Sequence, residues 1–503
     1  MKYDFVIIGS GLGGLECAVI LSREGYSVCM LEKNRQLGGN LQIFVRDKAI
    51  FDTGIHYIGG LEKGQNLERY FNYLGLSGKL KLKKLDEDGF DIVSFDNDPI
   101  EYKYAQGYEN FKRTLLGYFP DEEAAITAYC DKLIEISHSF PLYKVESGNA
   151  SIIDTKFLEI NTHDYIASLT NNEKLRNVLA GTNPLYAGVA DKTPLYVHAL
   201  VINTYIESSW KCIDGGAQIA TQLSKTIKEH GGIIRNYAEV VKFNFEGDSI
   251  ESLELKDGEK VFGKQYISNI HPSITLEMIE PGKLRKSYVN RISSLENSLS
   301  VFIVQIVFKE KSFPYLNHNY YHYKSDNVWD TMDYTEETWP KGYALFCPAS
   351  SRSGEYADCM SVMAYMHYDE VKEWETTFHT IPKNVSLRSE SYVEFKKRKG
   401  EKLIDELEKK FPNIRSCIKS YTCSTPLSYR DYIGTKDGSM YGILKDHKDP
   451  LRTFISPKTK VPNLYLTGQN LNMHGVLGVT IGAVVTCSEI LGMDYLIQKI
   501  KEA

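Results

Sequence analysis

At 503 residues the chain is too long for one small core, and two domains are the natural expectation. A formal net charge of −6 argues against a general nucleic-acid binder. Nine scattered cysteines, none at C-x-x-C spacing, argue against a disulfide frame or a zinc site, so no metal is expected. No run approaches about 18 uninterrupted apolar residues, so no membrane span is expected. No basic leader or cleavage site precedes the first apolar run, and the expectation is a reduced, cytoplasmic chain.

Tyr3 to Ile8 is a short run rich in β-branched and aromatic residues, followed directly by Gly9-Ser10-Gly11-Leu12-Gly13-Gly14. Leu15, Cys17, Ala18, Ile20 and Leu21 then recur at helical spacing. That order describes a buried parallel strand, a tight glycine turn and a helix. Gly9 permits the turn, Gly11 lets backbone approach a pyrophosphate, and Gly14 lets the helix pack close to the strand. The helix start, with Leu12 and Gly13, offers free N–H groups and partial positive charge to the phosphates. A second strand over 27–31 ends in Glu32, about twenty positions beyond Gly9, where an acidic side chain reaches a ribose diol. Lys33 follows it, and Gly38-Gly39-Asn40 extends the cradle.

That glycine pair is the signature of the flavoprotein group containing amine oxidases and carotenoid desaturases. The next string, Phe51-Asp52-Thr53-Gly54-Ile55-His56-Tyr57-Ile58-Gly59-Gly60, resembles the phytoene desaturase, carotenoid isomerase and retinol saturase family. In that family an F-D-x-G-x-H-Y-x-G string runs past the flavin. The resemblance implies that Gly54 passes close to the isoalloxazine. His56 either positions a loop or transfers a proton.

Residues of roughly 66–210 read as helical and polar, with a helix from Glu109 to Cys130 and another over 172–179 capped by Thr170 or Asn171. The run Leu195 to Tyr205, with Tyr196 and His198, is a wall for an apolar ligand or, by preference, domain core. After Asp214-Gly215-Gly216 a helix carries Ile219, Leu223 and Ile227 and stops at Gly231-Gly232. Strands follow at 233–234 and 239–243, then a meander, with Tyr266 to Asn269 as a separate short strand. By resemblance, the strand at Val240 lies against the adenine. Ser300 to Phe308 is expected to be an interior strand of a second sheet, with strands at 343–347 and 360–366. Tyr320, Tyr321, His322 and Tyr323 line a cavity or pave an interface, and 396–410 is a charged helix.

Thr425 to Gly442 is similar to a stretch of the carotenoid isomerase and retinol saturase branch. Asn463 to Asn470 is a strand and glycine turn. Residues 471–483, including His474, Gly478 and Val479, start a small-residue helix. A helix beginning beneath a flavin would direct its dipole at the N1/C2 edge. The usual T-G-D pattern is replaced here by Gly468-Gln469-Asn470, and either amide suits a ribityl hydroxyl.

The resemblance implies an α/β architecture: a Rossmann-like FAD-binding domain of the glutathione-reductase type, in the amine oxidase/desaturase group, with a discontinuous α+β substrate domain. The expected segments are 1–85, 212–280 and 445–503 for FAD, and 86–211 and 281–444 for substrate. The cofactor set is Gly9, Gly11, Leu12, Gly13, Gly14, Glu32, Lys33, Gly38, Gly39, Asn40, Gly54, His56, Val240, Gly468, Gln469, Asn470, Gly478 and Val479. The expected activity is FAD-dependent chemistry on C=C bonds of an apolar polyene or isoprenoid lipid, as saturase or isomerase before desaturase. FAD is non-covalent and NAD(P)H is an external reductant. Peripheral membrane docking follows from such a substrate, and an oligomer stays open. The alternatives are an amine oxidase-like flavoprotein, against which no string shows an aromatic cage, and a non-enzymatic prenyl-lipid escort of the GDP dissociation inhibitor type. His56, Tyr57 and His474 are the candidate proton donors. His56 leads because imidazole titrates near neutrality. Tyr57 is expected on the opposite face of an extended segment, and the helix dipole disfavours protonated His474.

Overall fold

The computed structural model describes residues 2–147, 155–378 and 388–503. Two seven-stranded sheets organise it. In the first, the strands Lys2–Ile8, Val28–Leu31 and Ile233–Arg235 are parallel neighbours, and Lys2–Ile8 also pairs in parallel with Lys260–Ser268. Leu464–Leu466 joins Lys260–Ser268 in parallel, while Ser249–Leu255 and Val240–Glu246 complete an antiparallel flank. Parallel strands are covered on both faces, so their residues are apolar without alternation. Val6, Ile7, Cys29 and Met30 are accordingly almost inaccessible. Helix Leu12–Arg23 is buried from Leu12 through Ser22, as a helix lying between a sheet and another helix must be. That other helix is Gly475–Leu491, whose Ala483 and Val484 share a core with Leu15 and Val19.

The second sheet runs in the order Ile418–Ser424, Ser300–Phe308, Cys359–Met366, Gly342–Phe346, Asn319–Tyr323, Asp91–Phe95, Asp98–Tyr104. All nine residues of Ser300–Phe308 are buried, with a paired neighbour on each side. This is the interior position that its apolar run requires. A three-stranded sheet of Ile58–Gly59, Ser209–Cys212 and Leu82–Lys84 lies beside them.

Three expectations need correction. The stretch 66–210 is not helical throughout, because Leu82–Lys84, Asp91–Phe95 and Asp98–Tyr104 are strands. Their Asp, Lys and Pro residues mask a β pattern that pairing across the sheet supplies. Helix Glu173–Leu179 is capped by Asn172, whose side chain accepts from the Leu175 N–H. Residues 260–268 form one continuous strand, with no break before Tyr266.

Candidate functional site

A cavity of about 770 Å³ meets the carboxyl ends of the first sheet's parallel strands, where ligands of open α/β sheets bind. Its lining includes Gly9, Gly11, Leu12, Gly13, Glu32, Lys33, Gly38, Gly39, Asn40, Gly54, His56, Tyr57, Val240, Gly468, Gln469, Asn470, His474, Gly478 and Val479. Gly14 stands behind the turn: a Cβ there would lie 2.3 Å from the Gly9 carbonyl oxygen.

The cradle is continuous from one contact to the next. Glu32 Oε2 accepts from the Ser10 N–H at 2.9 Å and from the Ser10 hydroxyl at 2.5 Å, and Oε1 accepts from the Asn34 N–H at 2.8 Å. Gly38 donates to the Ser10 carbonyl and bridges to Gly11. A Cβ on Gly39 would stand 3.2 Å from the Gly11 Cα, and one on Gly13 would stand 3.2 Å from the Gly468 backbone. Asn40 Nδ2 donates to Gln469 Oε1 at 3.4 Å. Asn470 Oδ1 accepts from the Ile443 N–H at 3.2 Å, so each of the two amide oxygens already takes one donor from the protein. The bare backbone along this path, a carboxylate at one strand end and a helix starting after His474 fit a flavin dinucleotide: pyrophosphate against the glycines, ribose at Glu32.

Sequence reasoning missed Asn269. It follows the strand Lys260–Ser268, lines the cavity, and its amide packs where side chains on Gly11, Gly13, Gly14 or Gly468 would stand. All four of those glycines were legible, but nothing local in sequence joins them to residue 269.

Two consequences are measurable. Glu32→Ala removes the acceptor of three N–H or O–H donors as well as the ribose contact. A charge-assisted bond is worth about 1.5–3 kcal/mol, so flavin retention through dialysis should fall by roughly tenfold or more. Gly54 has its own reason to be glycine: a Cβ would stand 2.9 Å from both Cβ and Oδ1 of Asn40. The steric demand at Gly54 therefore comes from the Asn40 side chain. Gly54→Val should displace Asn40 from Gln469, cost about 1–3 kcal/mol in thermal unfolding, and reduce flavin content.

Beyond the cradle the cavity wall is aromatic. The His56 ring stacks on Phe346 with centroids 4.3 Å apart, Tyr57 lies 4.4 Å from Tyr205, and Tyr441 lies 4.4 Å from His474. Tyr321, Tyr323, Tyr365 and Tyr429 also line it, whereas Tyr320 does not. The wall is contributed by separate elements, among them helix Leu195–Glu207 and strands Asn319–Tyr323, Gly342–Phe346 and Cys359–Met366. No single string could announce it. Helix Leu195–Glu207 serves both readings: Tyr196 and Tyr205 face the cavity, while His198 is core, held between Tyr129 and Tyr186.

The structure corrects the reasoning on proton donors. His56 and Tyr57 both line the cavity, because 53–57 is a bend and not an extended strand. Burial pushes the His56 imidazole down to about 4, with the Lys211 charge adding to it. Its Nε2 is buried without a hydrogen-bond partner. It is neutral near pH 7 and poor as an acid. His474 also falls to about 4, with burial and not the helix dipole as the first cause. Tyr57 is the remaining candidate donor. Its hydroxyl donates to Asp91 at 2.8 Å and lies 2.7 Å from the Tyr321 hydroxyl.

Cradle and fold together define an oxidoreductase of the Rossmann dinucleotide-binding type. The family model for the NAD(P)-binding Rossmann-like domain matches residues 7–74. Along nearly its whole length the chain is similar to all-trans-retinol 13,14-reductases and prolycopene isomerases. It is 26% identical to the zebrafish (Danio rerio) all-trans-retinol 13,14-reductase, covering 97% of this chain and 86% of that one. Identity to the chloroplastic prolycopene isomerase of Daucus carota is 21%, over 98% and 80%. Among solved structures, the CLA-producing fatty acid isomerase from P. acnes superposes with TM-score 0.62 at 11% identity, over 97% of this chain and 98% of that one. Putrescine oxidase bound to putrescine does so with TM-score 0.61 at 12% identity, over 98% and 99%. The amine oxidase type of fold is thereby shared.

Proposed function

We propose that the chain is an oxidoreductase that holds FAD non-covalently and acts on C=C bonds of an uncharged, apolar polyene or isoprenoid lipid, as a saturase or isomerase. The observation that carries this is the wall joined to the cradle. Helix Leu195–Glu207 and strands Asn319–Tyr323, Gly342–Phe346 and Cys359–Met366 contribute no carboxylate to the lining. An alkylammonium would need one or would have to lose its charge on entry, so the amine reading is the weaker, although the aromatic wall itself would suit it. The curated relatives reduce or isomerise polyenes by name, which supports the same class.

Bound FAD supplies hydride exchange with carbon. The chain's own part is to orient the polyene between Tyr57, Tyr205, Phe346 and Tyr441, to keep water out, and to provide a proton. The helix Gly475–Leu491 starts at the cavity and favours negative charge beside it. NAD(P)H serves as an external electron source in this reading, and the substrate's solubility implies peripheral contact with a membrane. No helix among the described residues is long and apolar enough to cross one. The intact glycine cradle disfavours the lipid-escort alternative. The test mixes the anaerobically reduced protein with a polyene alcohol, and the oxidised protein with a diamine. Return of the oxidised flavin spectrum with the polyene, or an isomerised polyene with the flavin still reduced, supports the reading when the diamine leaves the oxidised flavin unchanged. A colourless protein, or an unaltered polyene beside flavin bleaching by the diamine, removes it.

A further inference from the structure

Asp91 was not among the residues singled out by sequence, and it lies behind the cavity wall at zero exposure. Its two hydrogen-bonding partners are neutral: Tyr57 donates to Oδ2 and Asn319 Nδ2 donates to Oδ1, each at 2.8 Å. The nearest buried cation, Lys211, spends its Nζ on the Leu316 carbonyl at 3.1 Å. A carboxyl in such a place is cheaper to keep protonated than ionised. Tyr57, by contrast, lines the cavity and leans on Tyr205 across it. Tyr321, also in the lining, completes a chain of three oxygens.

We propose that Tyr57 delivers the proton to the substrate carbon and that Asp91, a positioning residue and proton store behind it, restores that proton. This rests on the reading of the chain as a C=C oxidoreductase. In the saturase direction the protonated Asp91 reverses its hydrogen bond with Tyr57, its Oδ2–H donating to the Tyr57 oxygen while the Tyr57 O–H turns to the substrate. The new C–H bond takes the Tyr57 proton, and the Asp91 proton moves onto the Tyr57 oxygen. The other hydrogen arrives as hydride, its two electrons coming from a reduced flavin, which is oxidised. Asp91 is left as carboxylate and is reprotonated from solvent between turnovers.

The groups facing Asp91 are Tyr57, Tyr321, Tyr205, Tyr104 and Lys211. Burial holds all four phenols above their ordinary range, so they stay neutral. Burial also raises Asp91 to about 7 against the pull of Asn319, Tyr57 and Lys211, while Lys211 itself falls to about 8. Asp91 therefore holds its proton below about 7 and loses it above. Proton delivery should weaken as pH rises through that value.

Two readouts test this on the flavin-loaded protein. The first needs no turnover: the infrared carbonyl band of protonated carboxyls, compared from below to above neutrality. Burial brings both Asp91 and Asp52 to about 7, so two carboxyls should titrate there in the wild type, and Asp91→Asn should remove one of them while the Asp52 titration and the Glu16 band remain. The second is the pH profile of single-turnover substrate reduction. Tyr57→Phe should slow it by about 10²-fold, the scale of a lost general acid. Asp91→Asn should slow it by roughly tenfold and erase the inflection, with Asp91→Glu restoring it. An unchanged infrared band in Asp91→Asn, or a retained rate and inflection, overturns the proposal. A wild type that neither reduces nor isomerises a polyene overturns the functional reading instead, and the infrared result still decides whether Asp91 stores a proton.

Discussion

Gly14→Val is expected to abolish flavin binding and lower stability by several kcal/mol. The glycine's absent Cβ is the space into which the Gly9 carbonyl fits: the added carbon would stand 2.3 Å from that oxygen and 3.1 Å from Asn269 Nδ2. Neither neighbour can yield cheaply. Gly9 is held at φ +86° by the turn, with its N–H donating to Leu31 at 2.8 Å, and Asn269 donates its own N–H to Ile8 at 2.9 Å. Relief requires helix Leu12–Arg23 to lift from the strand Lys2–Ile8, which opens the core shared by Leu15, Val19 and Ala483. Overpacking alone costs about 1–3 kcal/mol, and lost burial adds to it. The control is Gly117→Ala in helix Tyr108–Tyr118, where a Cβ meets nothing within 4 Å. It should be neutral or stabilising by up to about 1 kcal/mol. Flavin content and thermal unfolding of the two variants decide the matter: equal behaviour would show that Gly14 is not a packing requirement.

His198→Leu should be the second most costly change, by roughly 2–5 kcal/mol, although it touches no cofactor residue. The imidazole is fully buried, with Nε2 2.7 Å from the Tyr129 hydroxyl and Nδ1 2.8 Å from the Tyr186 hydroxyl. Tyr129 donates its proton to the Leu179 carbonyl at 3.3 Å and so accepts from Nε2–H, while Tyr186 donates to Nδ1. A neutral ring satisfies both phenols, and leucine satisfies neither. Burial lowers the imidazole to about 3 from an ordinary 6.5. The unfolded chain thus binds a proton that the folded chain refuses, so this residue's contribution is complete above 6.5 and is lost as pH falls towards 3. Asp52 and Asp91, raised to about 7, act in the opposite sense: stability they leave intact near pH 4 is eroded as pH rises to 7. The histidine slope should therefore be read as the difference between wild type and variant in urea unfolding across the acid range. A difference that does not change with pH would mean that His198 is already charged in the fold.

The nucleotide half was legible because each of its requirements is local. Gly9 to Gly14, Glu32, and Gly38 to Asn40 fall in one continuous strand–helix–strand stretch of the chain, and the strand and helix periods around them are unbroken. The interior place of Ser300–Phe308 was legible for a related reason, since a nine-residue run with seven apolar residues spread over both faces tolerates no solvent face. The catalytic half was not legible. Tyr57, Asp91 and Tyr321 meet through pairing of Asp91–Phe95 with Asn319–Tyr323, two strands more than two hundred residues apart in the chain. Burial also reverses what residue type suggests: His56, the natural acid by its ordinary titration, is held neutral, while Asp91, ordinarily ionised, is held protonated.

The account turns on what the reduced protein does to a C=C bond. The most direct measurement incubates the anaerobically reduced, flavin-loaded chain with a polyene alcohol such as all-trans-retinol and with longer carotenoid-like polyenes, then weighs the product. A gain of two hydrogens, or an unchanged mass with altered retention, is the result expected of a saturase or an isomerase. Unmodified polyenes, alongside an oxidised flavin that an amine readily reduces, would contradict it.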